Sequence, residues 1–197
     1  MIWNILQSEV SEWALRNFGK QGAYQPMLGL MEEVGEFLAA REKAKNISNN
    51  KQLAEVAKLY LLTDAMVDAI ADQCIYTLNL CEICGINFAE DIAKNTSEPL
   101  RDSELMGALA LASRAILKYD QGIRGINYYE RQKNLIIALS VWFKWVSYQS
   151  KWYRFEDTDI ITEKVWQQVK LRDWKKHPTN AHAFQEQAMT DDLAGGK

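Results

Sequence analysis

Apolar residues recur at i, i+3, i+4 and i+7 through most of the chain and rarely alternate, a period that predicts helices and no sheet. Three prolines, Pro26, Pro99 and Pro178, are the whole complement. A first helix is expected over 3–17, stopping where Asn17-Phe18-Gly19 offers a glycine beyond its end. Pro26 suits the opening of a second helix running to about Lys45, and Asn46-Ile47-Ser48-Asn49-Asn50 breaks it. From Gln52 to Cys84 no breaker occurs before Gly85, which predicts a long helix, whole or bent into two segments near Thr63-Asp64. A short helix around 87–95 precedes a break at Ser97-Glu98-Pro99. The next helix is expected from Asp102 to Asp120 with Asp102 or Ser103 as its cap, then a loop at Gln121 to Gly125 and an aromatic helix from Tyr128 to Gln149. After the polar turn Glu156 to Asp159 a last helix runs to about Trp174, and 185–197 read as a frayed tail.

These elements predict an all-α fold with one helical domain over 1–178. It would hold a helix pair at 27–95, a second pair at 102–150 and a C-terminal helix at 156–174. The second pair has the apolar character of the first without its acids. It is either a degenerate copy that completes a four-helix bundle or an unrelated amphipathic pair, since such pairs look alike.

Composition narrows the class. A chain of 197 residues, 48% apolar and 25% charged, can bury a real core and is not disordered in character. Net charge is −3 and no long Lys/Arg block occurs, which speaks against a nucleic-acid or membrane-surface binder. The start, MIWNILQSEV, has a polar residue every second or third place and no cationic segment, so neither a signal peptide nor a membrane span is expected and a cytoplasmic location is. Cys74, Cys81 and Cys84 share one apolar helical stretch. With no second CxxC and no nearby histidine they read as buried thiols rather than a redox or zinc motif.

Acid placed inside apolar helix changes the picture most. Glu32, Glu33 and Glu36 stand in LGLMEEVGEFLAA (28–40), and Asp68 and Asp72 stand in DAMVDAIADQCIYTL (64–78). Helical spacing puts the glutamates near one another and makes Asp68 and Asp72 an i, i+4 pair, with no cation at a clear compensating place. Like charges so grouped repel unless a cation holds them, so the alternatives are a solvated acidic face or a site for a hard divalent ion, Mg²⁺ or Mn²⁺, between two antiparallel helices. Small residues at Gly29, Gly35, Ala39 and Ala40 would let another backbone or a ligand come close.

The EExxE run at 32–36 followed by an aspartate-bearing helix resembles the MazG-like, all-α nucleoside triphosphate pyrophosphohydrolases, whose motifs are EExxE and then ExxD. DAIAD (68–72) is similar to a variant found in phage-type members, and LKYDQGIRG (117–125) and EKVWQQVKLRDWKKHP (163–178) resemble segments of the longer ones. The likeness touches about residues 10–178. It departs from the pattern at Ala69, where the family has glutamate; the nearest acid is Asp68, one place earlier.

The resemblance implies hydrolysis of a nucleoside or deoxynucleoside triphosphate to the monophosphate and pyrophosphate. It implies Glu32, Glu33, Glu36 and Asp72 as metal ligands with Asp68 beside them, two or more ions with substrate, and Glu32 or Glu33 orienting or deprotonating the water. It also implies a homodimer or a dimer of dimers, and a bacterial or phage-infected cytosol. Lys118, Arg124, Lys164 and Arg172 are candidates for phosphate contacts, or ordinary surface cations. Trp13 and Phe18 are candidates to stack on a base, or core residues. Asn17, Gln21 and Gln25 are candidates to read a base edge, and Trp142 and Trp145 read as core or subunit interface.

Several chemistries are excluded or kept as rivals. No G-x-x-x-x-G-K-[ST] loop occurs, and the two histidines, His177 and His182, both fall near the end of the sequence, which removes P-loop and multi-histidine metal chemistry. The remaining rivals are a dimeric dUTPase-like enzyme, a branch acting on dGTP, and a non-catalytic helical assembly protein.

Overall fold

The computed structural model describes residues 2–48, 53–94 and 99–178, with side chains from 2–47, 62–94 and 99–178. The fold is all-α: α1 (Ile2–Phe18), α2 (Tyr24–Ser48), α3 (Leu53–Cys84), α4 (Asp102–Asp120), α5 (Tyr128–Trp152) and α6 (Thr158–Val169), with one π-helical turn at Phe88–Ile92. Among the described residues there is no strand, and no helix is long and apolar enough to cross a membrane.

The core sits around α3. From Met66 to Cys84 its apolar residues run round the helix, and a helix apolar on all sides is stable only when surrounded. Here α1, α2, α5 and α6 all pack on it, which leaves Ile70, Ala71, Gln73, Cys74, Thr77, Leu78, Leu80 and Cys81 without solvent contact. Two hydrogen bonds tie α3 to α2 and to the loop before it: Gln73 Nε2 reaches Glu33 O at 3.4 Å, and Asn79 Nδ2 donates to Gln21 Oε1 at 2.9 Å. A second antiparallel pair, α4 and α5, lays α4 on α2 and α5 on α3. The Arg41 guanidinium spans from α2 to both oxygens of Asp102 on α4, and Trp145 Nε1 donates to the same carboxylate at 3.2 Å. These bonds hold the Asp102 carboxyl below its usual range. Trp142 and Trp145 are fully buried core.

Several boundaries differ from the sequence reading. Helix α2 continues through Asn46 and Ile47 to Ser48, and α3 runs unbroken past Thr63-Asp64 because neither glycine nor proline interrupts it. The N-cap of α4 is Arg101 rather than Asp102 or Ser103; Asp102 is engaged by Arg41, and the Glu104 carboxylate accepts from Arg101 N at 2.8 Å. The expected helix at 87–95 is the single π turn, held when Asn87 Oδ1 accepts from Glu90 N and buried Gln7 on α1 accepts from Phe88 N. The last helix stops at Val169, five residues short of Trp174, since the following turn is drawn onto α1. Trp13 Nε1 donates to Arg172 O at 3.1 Å and Trp174 N to Asn17 Oδ1 at 2.8 Å. The expected tail at 185–197 lies outside the described residues. All three cysteines are buried free thiols; burial pushes Cys74 up to about 12 and Cys84 up to about 11.

Candidate functional site

Antiparallel packing of α2 on α3 brings the two acidic runs together. Glu33 and Asp72 are half-buried, while Glu32, Glu36 and Asp68 stand exposed around them. Burial, then the charges of Asp72, Glu36, Glu32 and Asp68, push the Glu33 carboxyl from its ordinary 4.5 up to about 8. Burial and Asp68 push Asp72 up to about 6; Arg172 opposes the rise and Glu36 adds to it. Desolvation and like charge thus act together on Glu33 and Asp72, where the acids of the two helices meet. Ala69, three places before Asp72, is buried, whereas Asp68 is exposed and its charge is felt by both Glu33 and Asp72.

The donor set suits a hard divalent cation: carboxylate oxygens only, in excess of nearby positive charge. Its arrangement falls short of a closed cage. Among the described residues no three His, Cys, Asp or Glu side chains converge closely enough to hold a metal ion. Glu32, Glu36 and Asp68 are exposed, so their side chains are not locked by packing.

A cavity of about 290 Å³ opens beside this group, between α1, the start of α2, α3 and the turn after α6. Asp72 and Arg172 stand in its wall, and Trp13, Phe18, Tyr76 and Trp174 give it an aromatic lining. The polar part is the bonded amide pair Gln21 and Asn79, with Gln25 near them. No family model, curated protein or solved structure matches the chain. The function must therefore be argued from the site itself.

The expected substrate residues divide sharply in space. Trp13, Phe18, Gln21 and Arg172 meet Asp72 in one cavity wall. Asn17 is beside it but its amide is engaged, donating to Trp13 O and accepting from Trp174 N. Lys118, Arg124 and Lys164 do not line the cavity. Lys118 Nζ donates to Gln121 Oε1 at 3.0 Å, Arg124 is exposed in the α4–α5 loop, and Lys164 is paired with Glu156 at 2.6 Å. Lys164 and Arg172 separate because α6 ends between them.

Tyr76, Asn79 and Trp174 are wall residues that the sequence reading did not name. Tyr76 and Asn79 follow Asp72 at i+4 and i+7, a face-sharing interval that was there to be read. Trp174 carried no such signal, because its place depends on the turn folding back to Asn17. Tyr76 is half-buried, and burial with the charges of Glu33 and Asp72 raises its phenol above the usual range.

Gly29 explains how Tyr76 fits: a Cβ at 29 would overlap the Tyr76 ring, whereas one at Gly35 would meet nothing. Gly29→Ala is therefore expected to displace the Tyr76 ring into the cavity. The gain in helix propensity, about 1 kcal/mol, opposes the overlap, so the melting temperature should change little while ligand binding in the cavity is lost. Gly35→Ala should raise stability and leave binding intact; equal binding losses in the two variants would refute the role given to Gly29.

Proposed function

We propose that this chain is a metal-dependent nucleoside triphosphate pyrophosphohydrolase with a MazG-like helical bundle. The reading is carried by one observation: the acidic group of α2 and α3 reaches an aromatic cavity through Asp72, which stands in the cavity wall with Arg172. Acid for divalent ions, a cation for phosphate and aromatic faces for a base are the parts that this hydrolysis needs.

Glu32, Glu33, Glu36, Asp68 and Asp72 would hold Mg²⁺ or Mn²⁺, with Asp68 in place of the glutamate missing at Ala69. Bound divalent ions would neutralise phosphate oxygens and make a water nucleophilic at neutral pH. The residues of the chain do the rest. Trp13, Phe18 and Trp174 offer faces to the base, and the Gln21–Asn79 amide pair offers both donor and acceptor to its edge. Arg172, in the cavity wall with Asp72, balances charge on the α-phosphate. Glu33, or Glu32 beside it, receives the proton of the attacking water as oxygen bonds to the α-phosphorus and pyrophosphate leaves with the electrons of the broken P–O bond.

The test is pyrophosphate release, read as orthophosphate after added inorganic pyrophosphatase. The eight common NTPs and dNTPs plus dUTP are each tried with Mg²⁺ and Mn²⁺, beside Glu36→Gln. Release from one or a few nucleotides, lost in the variant, is expected, with dGTP the first candidate; release from dUTP alone would place the chain with the dUTPase-like enzymes. A second reading, a non-catalytic helical assembly protein, draws on the absence of a closed acid cage and on exposed Leu28 and Met31 of α2 and Met106 of α4. It predicts no release from any nucleotide and no thermal stabilisation by millimolar Mg²⁺. A homodimer or dimer of dimers is part of the enzyme proposal, and sedimentation equilibrium tests it.

A further inference from the structure

The turn after α6 does more than deliver Arg172 to the aromatic cavity. With the end of α1 it forms a second, solvent-open cavity, of about 370 Å³, which shares Trp13 and Arg172 with the first. Arg16, Lys170, Arg172, Lys175 and Lys176 line it, against the single carboxylate of Asp173. Such a gathering of cations is notable in a chain of net charge −3.

Most of the local acid is already engaged. The Asp173 carboxylate accepts from the backbone N–H groups of Lys175 and Lys176, at 3.2 and 3.1 Å, and pairs with Lys176 Nζ at 3.4 Å. Glu9 reaches Lys170 only at 3.7 Å while accepting from Trp166 Nε1 at 2.7 Å. Arg16 and Lys175 are exposed and have no carboxylate partner among the described residues. The walls are nevertheless fixed, because Trp13 and Asn17 of α1 hold the turn through two hydrogen bonds to its backbone. Like charges gathered round one cavity repel one another, and a multiply charged anion placed among them relieves that repulsion.

We propose that this basic cavity is a binding site for a small phosphoanhydride, either free pyrophosphate or the triphosphate end of a nucleotide. Its lining comes from one helix end and one turn, with Trp13 its single aromatic residue, which suits a small anion, whereas a nucleic-acid backbone needs an extended groove with successive stacking platforms. Arg172 stands in the wall of both cavities, which makes it the natural handover point between them. Naming the site as the exit of released pyrophosphate rests on the hydrolase reading; the anion site itself does not.

The experiment is calorimetric titration of pyrophosphate into the full chain in EDTA and low salt, with no nucleotide present. Arg16→Glu and Lys175→Glu, on different elements, should each weaken binding at least fivefold. Lys133→Glu, exposed on α5, should leave it unchanged. Orthophosphate should bind more weakly than pyrophosphate, and binding should fade as salt rises. Competition by a non-hydrolysable nucleoside triphosphate names the nucleotide as the source, and its absence names free pyrophosphate. Equal affinity in all variants, or tighter binding of a short single-stranded oligonucleotide, overturns the proposal. The hydrolase reading fails separately: a chain that binds pyrophosphate in this pattern but cleaves no nucleotide keeps the site and loses the activity.

Discussion

Replacing Glu33 by glutamine is expected to raise the melting temperature of the metal-free protein at pH 8 and to lower pyrophosphate release by about 100-fold or more. The two effects have one cause. In the folded chain the Glu33 carboxyl titrates at about 8 rather than its ordinary 4.5, so between those values the folded state binds a proton that the unfolded state has released. Stability then falls as pH rises through this window, being fully retained below about 4.5 and lost on passing 8. Asp72, lifted from 3.8 to about 6, adds a decline of the same sign at lower pH. Glutamine carries no charge, so the variant should show a flatter profile above pH 6, and its advantage over the parent should widen toward pH 9. Parallel melting curves for the two proteins from pH 5 to 9 in EDTA would sink this account.

Divalent ions should reverse the order. A cation competes with the proton for the same carboxylates, so stabilisation by Mg²⁺ or Mn²⁺ should grow from pH 6 to 8 in the parent and be smaller, with a weaker rise, in Glu33→Gln. That reversal separates a site held apart by its own charge from a merely acidic surface, which would respond weakly to pH and metal alike. It can be read without knowing the substrate.

What was legible in the sequence was local. The heptad-like spacing and the glycines after α1 and α3 marked the helices, and Gly19 and Gly85 do take the left-handed backbone that ends them, at φ 71° and 66°. The acids were legible for the same reason, since a charge inside an apolar period is visible at a distance of three or four residues. Contacts across the chain were not. Arg172 and Asp72 lie a hundred residues apart, and nothing near either one announces the other. The stop of α6 at Val169 depends on Asn17 and Trp13, far back on α1, and so does the position of Trp174. Lys118, Arg124 and Lys164 looked as suitable as Arg172 because sequence records a charge but not which wall it stands in.

Trp142→Phe should destabilise the fold by more than its lost volume. The indole has no solvent contact, and its Nε1 donates at 3.0 Å to Oε1 of Gln73, which is buried just as completely. Phenylalanine would leave that oxygen without a donor, costing about 1–3 kcal/mol, and would open a cavity whose cost adds to it. Gln73→Met removes the orphaned group, so the double variant should be more stable than the sum of the two single losses predicts. Urea unfolding midpoints of the four proteins decide the matter; strict additivity would mean that the bond contributes nothing of its own. The site should feel the change as well. Gln73 follows Asp72 and reaches back to the carbonyl of Glu33, so it joins α5 to the two helices that carry the acids. If that link sets their spacing, Trp142→Phe should weaken Mg²⁺ stabilisation at a pH where both proteins are fully folded, and Gln73→Met should not restore it, because methionine fills the space without holding Glu33.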